Sequence, residues 1–339
     1  MKKKLHVTCG LIAIFSVTTP AVAASETLTV TTNVPPNHWA STEGGVPFME
    51  CVTEATKGEI EFEYFHSAQI ASMSEALGAV NDGLAQIGMV IPSEQTDKLP
   101  LTGVVMLPGM GESVTHMTRA YRKSLADGGV LAQELEFTGV HPLFLNFYPP
   151  YQLLSDVPYE SVDDLRNKKL RGIGSLVITL KSLGATPVEI SIPDLYLSLQ
   201  QGTVDGALLG LTSVQPYSLQ EVVGAVTSNG HFGTTVGIWA IDQAIWDGFS
   251  PEYRVAMEQC GEAVDETQAA YADKLNDELK VKFAEQGVNI YELNEKALDS
   301  FAPRLDAATE EFITRLEDRG LPARQALEEY SEALAATAE

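Results

Sequence analysis

Strand-like and helix-like segments alternate twice along this chain, and that alternation restricts its fold more than any other feature. "TLTVTTN" (27–33) alternates as a strand does. A helix follows over 46–56, with Gly58 at its stop. "IEFEYF" (60–65) sets Ile60, Phe62 and Tyr64 against Glu61 and Glu63, a strand with one wet face. Ser72 and Glu75 have capping-box spacing and predict a helix carrying Met73, Leu77 and Val80 on one face. Gly83 ends that helix, and "IGMVI" (87–91) is the next strand. Strand-helix-strand-helix-strand with short connections specifies a parallel sheet covered by helices.

A second unit of the same kind begins near residue 150. It reads as helix 162–166, strand 168–173, helix 176–183, strand 187–190, helix 193–201 and strand 204–209. Gly184 and Gly202 stand where helix C-caps belong. "VGIWAI" (236–241) then leads back to the first unit. Beyond it Ser250 caps a helix with Pro251 in its first turn and no breaker before Gly287; Gly261 is its one weak point. At 1.5 Å per residue this helix would be roughly 54 Å long, enough to brace two domains. Helices at about 296–319 and 322–337 close the chain. The expectation is an α/β protein of two lobes crossed more than once by the chain, with a ligand cleft between them. The division reads as 24–149 plus about 238–270 for lobe I, and 150–237 plus about 271–339 for lobe II.

The N-terminus carries a targeting pattern. Lys2, Lys3 and Lys4 precede a mostly apolar stretch over 5–17, too short to span a bilayer, and Ala21-Val22-Ala23 has the small-x-small cleavage form. Residues 1–23 are read as a cleaved signal peptide, leaving a soluble, exported, periplasmic protein. The formal net charge of −24 repels nucleic acid and anionic lipid, so neither is expected as a partner. Outside that segment the cysteines are Cys51 and Cys260. An oxidising compartment permits a bridge, but spacing does not establish contact, and two buried free thiols are the expected state.

Catalytic signatures are sparse. Neither G-x-S-x-G nor H-E-x-x-H occurs, and "GIGSLV" (172–177) lacks the third glycine of a dinucleotide loop. His38, His66, His116, His141 and His231 are scattered, with no pair at metal-ligand spacing. No cofactor, metal or catalytic residue is assigned.

The segment "LRGIGSLVITLKSLGATPVEISIPDLYLSLQQGTVDGAL" resembles the central region of the extracytoplasmic solute-binding proteins of TRAP transporters. The resemblance rests on Arg171 ending a strand, on Gly184-Ala185-Thr186-Pro187, and on Asp194-Leu195-Tyr196 with Leu199, Gln200, Gly202, Val204, Asp205 and Gly206. "TKGEIEFEYFHSAQI", "ALGAVNDGLAQIGMV" and the long helix extend it over nearly the whole chain. It implies a two-lobed periplasmic-binding-protein fold with a domain-bridging helix. It also implies capture of an organic acid between lobes and delivery to integral-membrane permease subunits. By the same resemblance, Arg171 forks onto the ligand carboxylate.

Physical chemistry supports that role, because a guanidinium presents paired donors matched to a planar carboxylate and stays charged at any pH. Gly172 and Gly174 would let backbone or ligand approach closely. Tyr151 falls where sialic acid binders of the family carry a second arginine, and Leu209 where they carry an asparagine. Both changes argue against a hydroxylated sugar acid and towards a monocarboxylate. Asn146, Tyr148 and Tyr151 belong to the stiff "NFYPPYQ" (146–152) at the expected hinge. In "VPPNHWA" (34–40), Asn37, His38 and Trp39 compete for the sheet's C-terminal edge, and Trp39 is favoured; His66 follows the second strand in the same way. Ile192 and Thr235 match family positions around the ligand. Clustered aromatics would also suit an aromatic carboxylate, a sulfonate or a quaternary ammonium. A monomer is expected. The alternatives are a binding protein of an ATP-driven importer, a membrane-sensor binding protein, or an exported enzyme on a two-lobed scaffold.

Overall fold

The computed structural model describes residues 26–338; the signal-peptide reading and Cys9 lie outside them. β1 (Glu26–Thr31), α1 (Val46–Ala55), β2 (Ile60–Phe65), α2 (Ala76–Asn81) and β3 (Ile87–Val90) form the expected alternation. Ser72 does bond the Glu75 carboxylate, but in the turn before the helix, so Met73 precedes α2 rather than lying on its face. Two helices, α3 (Val114–Ala126) and α4 (Val130–Phe137), lead to β4 (Val140–Phe147). The chain then crosses to the second unit: β5 (Gln152–Ser155), β6 (Lys169–Arg171), α5 (Leu176–Ser182), β7 (Thr186–Val188), α6 (Ile192–Gln200), β8 (Gly206–Leu209) and β9 (Ala225–Thr227). It returns as β10 (Val236–Asp242) and α7 (Gln243–Gly248). The chain ends with α8 (Pro251–Glu285), β11 (Asn289–Tyr291), α9 (Glu295–Glu317) and α10 (Ala323–Thr337).

Each lobe is built on one sheet. Lobe I has strand order β2-β1-β3-β10-β4, and lobe II has β11-β9-β5-β8-β6-β7. The sheets are mixed, where the alternation alone predicts parallel ones. β10 runs antiparallel to β3 and β4, and β5 runs antiparallel to β8 and β9. The crossings account for this: a strand that re-enters a sheet from the other lobe arrives pointing the opposite way. The two crossings lie side by side, where Tyr148 N–H donates to Thr235 O at 3.0 Å and Tyr151 N–H to Gly233 O at 2.7 Å.

α8 is one unbroken helix of 35 residues. It packs on α1, α3 and β4 in lobe I and on β11 in lobe II. Gly261 is a fitting point rather than a weak one, since a Cβ there would stand 2.2 Å from Leu143 O. Only glycine lets the helix axis lie so close to β4. Cys51 of α1 and Cys260 of α8 form a disulfide, with Cα atoms 5.8 Å apart. This corrects the expectation of free thiols, because the packing of α1 on α8 brings together positions 209 residues apart. The last helix, α10, packs on α3: Tyr330 meets Tyr121 edge to face, and His116 Nε2 bonds Leu334 O. It therefore contacts lobe I, whereas sequence order groups it with lobe II.

Candidate ligand site between the lobes

β6 ends at the C-terminal edge of its sheet, and its last residue, Arg171, points into the space between lobes. The side chain is only 1% exposed. Its Nε donates to Ile190 O at 2.9 Å, which fixes the plane of the guanidinium, while Nη2 is buried with no hydrogen-bond partner. Burial pulls its pKa down, and Tyr151 and Glu94 draw it back up through space. A buried cation with an unused donor is strongly disfavoured unless an anion completes it.

The cavity at Arg171 draws its wall from both lobes. Asn33, Val34, His38, Met73, Met89, Ile91, Ser93 and Tyr148 come from lobe I. Tyr151, Arg171, Ile173, Ile192 and Tyr217 come from lobe II, and Thr235 from the returning crossing. The lobes are closed on it, since a Cβ on Gly174 would lie 3.0 Å from Ser93 Cα. Gly174 also has φ +58°; this glycine, and not Gly172, serves the approach of one lobe to the other. The cavity volume is about 30 Å³, well below the roughly 150 Å³ of a cavity that holds benzene. Apart from Arg171, the ionisable side chains of the wall are aromatic and neutral. Burial pushes the Tyr151 and Tyr217 phenols up to about 12, Tyr148 well above its usual range, and His38 down to about 3.

Of the residues singled out by sequence, Arg171, Tyr148, Tyr151, Ile192 and Thr235 meet around this cavity. Trp39, Asn146, His66 and Leu209 fall outside its lining. Trp39 lies behind it, edge-on to Tyr148 at 5.3 Å. Asn146 is engaged in the core: its amide donates to Gln268 on α8, and its carbonyl accepts from the Trp239 indole. Leu209 is wholly buried in β8. His66 sits near the Tyr64 ring edge, with Nδ1 on the Ser67 hydroxyl. His38 takes the place expected of Trp39, and Tyr217 was not anticipated, although it follows β8 at the same sheet edge as Arg171.

Roomier grooves lie elsewhere on the surface. One of about 870 Å³ lies against Arg122, His141, Asp247 and Glu258 on lobe I, and one of about 400 Å³ runs along the lobe boundary past Ser93, Gly174 and Arg319. Neither contains the Arg171 guanidinium. Among the described residues no cluster of His, Cys, Asp and Glu could hold a metal, and no helix is long and apolar enough to cross a membrane.

Two α/β lobes closed over a buried, incompletely bonded arginine are the architecture of a solute-binding receptor. Residues 31–315 match the family described as bacterial extracellular solute-binding protein, family 7, and the chain belongs to it as a TRAP-type solute-binding protein. The ectoine-binding periplasmic protein TeaA of Halomonas elongata is 25% identical over 292 residues, covering 82% of this chain and 84% of that protein. A marine-metagenome TRAP solute-binding protein specific for aromatic acid ligands, solved with 3-hydroxybenzoate, superposes with a TM-score of 0.86. It is 20% identical, over 93% of this chain and all of its own. A Rhodoferax ferrireducens TRAP protein holding copurified benzoate gives a TM-score of 0.84 at 20% identity, over 92% of this chain and 98% of its own.

Proposed function

We propose that this protein captures a small organic monocarboxylate in the periplasm and delivers it to the membrane permease subunits of a TRAP transporter. The observation that carries the reading is Arg171, sealed in the closed cleft with Nη2 unpartnered. It is the one permanent cation on that wall, so one carboxylate is matched and a second would be buried unpaired. Tyr148, Tyr151, Tyr217, Ile173 and Ile192 offer ring faces and aliphatic surface rather than the array of donors a sugar acid needs. The chain acts as a receptor, not an enzyme, and works as a monomer.

The cavity is too small to admit a ligand without motion, so lobe separation precedes entry. Ligand then bridges Arg171 in lobe II to lobe I groups, and its higher affinity for the closed form shifts the population. Arg171→Ala is expected to weaken binding of a cognate acid by more than tenfold, within about 2–5 kcal/mol, by calorimetry. Equal affinity in the variant would remove Arg171 from the site. A second reading, a zwitterion with a carboxylate on Arg171 and a cation among the rings, draws on the Tyr148 and Tyr217 faces and on the likeness to TeaA. A thermal-shift screen of acids, sulfonates and betaines separates the two readings, since ligand at 100 times its Kd adds about 2.7 kcal/mol.

A further inference from the structure

The wall opposite Arg171 contains a group whose protonation is fixed by its own loop. Ala40 N–H donates to His38 Nδ1 at 3.1 Å. That nitrogen must therefore carry a lone pair, and the proton of a neutral imidazole must sit on Nε2, the nitrogen distal to the backbone. The ring is 1% exposed and is held among Trp39 at 5.8 Å, Tyr148 at 6.0 Å and Tyr217 at 6.4 Å. It lines the same cavity as Arg171, from the other lobe. Among the described residues no protein acceptor is bonded to Nε2.

We propose that His38 is a fixed neutral hydrogen-bond donor that selects ligands with an oxygen acceptor placed across from their carboxylate. The substrate class is then a hydroxy- or oxo-substituted monocarboxylate, rather than a bare acid or a cationic osmolyte. This rests on the reading of Arg171 as the carboxylate anchor. Burial holds the imidazole pKa down near 3, so the ring is a dipole and not a second cation. The ionisable groups around it agree: Tyr148 and Tyr217 against the ring, and Tyr151 across the cavity, all keep their protons. The wall therefore has no anion to take the Nε2 proton or to welcome a cationic ligand, and Arg171 in the same closed space repels one. A ligand oxygen satisfies Nε2–H without adding charge.

Calorimetry on the full-length mature protein with matched acids tests this. Pairs such as benzoate with 3-hydroxybenzoate, and cyclohexanecarboxylate with its hydroxy and oxo derivatives, would be joined by ectoine and trimethylglycine. The wild type should favour the oxygenated member of a pair by tenfold or more. His38→Phe should bring that ratio towards one, and His38→Gln, which retains a donor, should restore part of it. A wild-type ratio near one, a ratio untouched in His38→Phe, or tightest binding of a betaine would overturn the proposal. Binding of the acids that survives Arg171→Ala would instead overturn the anchor, and this inference with it. Long-range proton–nitrogen NMR of the wild-type ring needs no variant: an Nε2–H tautomer at neutral pH supports the assignment, and an Nδ1–H tautomer defeats it.

Discussion

Arg171 shows what a side chain gains from its place at a strand end. Its Nε is spent on Ile190 O, which turns the remaining fork towards the cavity. A lysine carries the same charge but cannot make that anchor and present paired donors together. Arg171→Lys is therefore expected to lose about tenfold or more in affinity for a cognate acid while the protein melts as before; wild-type binding would reduce the role of Arg171 to charge alone. This residue was legible because a long motif surrounds it. His38 was not, because the 34–40 loop runs into a short π-helical turn (Ala40–Gly45) and has no period to say whether His38 or Trp39 faces inward. Asn146 misled for a related reason. The second half of β4 is buried on both faces, so alternation gives no inner side, and Trp239 and Gln268 claim the amide.

Among the elements, α8 was readable to within a residue or two at its ends, because a cap, a first-turn proline and a closing glycine bracket it. Its contacts were not readable. Asp265 on α8 pairs with Arg122 and accepts from Leu145 N–H, and Gln268 one turn on donates to Leu145 O, so the helix holds the strand that leads to the hinge. Burial raises the Asp265 carboxyl to about 6 despite Arg122, so ionising it in place is costly. The Cys51–Cys260 bond ties α1 to the lobe I half of the same helix. Closing a loop of that length limits the unfolded chain by up to about 5 kcal/mol on the chain-entropy estimate, and native bridges commonly contribute 2–5. A Cys51→Ala, Cys260→Ala pair should lower unfolding free energy by about 2–5 kcal/mol in urea melts and leave ligand affinity within about twofold. A large loss of affinity at unchanged stability would show that the bridge shapes the cleft.

For the whole molecule, closure brings charges together that neither lobe contains alone. Glu94, in the turn Pro92–Glu94 of lobe I, is half-buried at the lobe boundary. Burial raises its carboxyl, Arg171 of lobe II lowers it, and Glu189 of lobe II raises it again. With the lobes apart, Glu94 regains water and its ordinary range near 4.3. The closed state therefore binds the proton more tightly than the open one. A bound carboxylate, by offsetting the charge of Arg171, pushes the Glu94 carboxyl further up. A group with a raised pKa in the closed state favours that state fully at low pH and loses the contribution as pH rises through the raised value. Affinity for an acid that stays ionised should thus be higher at pH 5.5 than at pH 7.5, with proton uptake visible as a buffer-dependent heat in calorimetry. Glu94→Gln should flatten the profile and tighten binding at pH 7.5. A slope that persists in Glu94→Gln would assign the proton to another group and separate closure from this carboxylate.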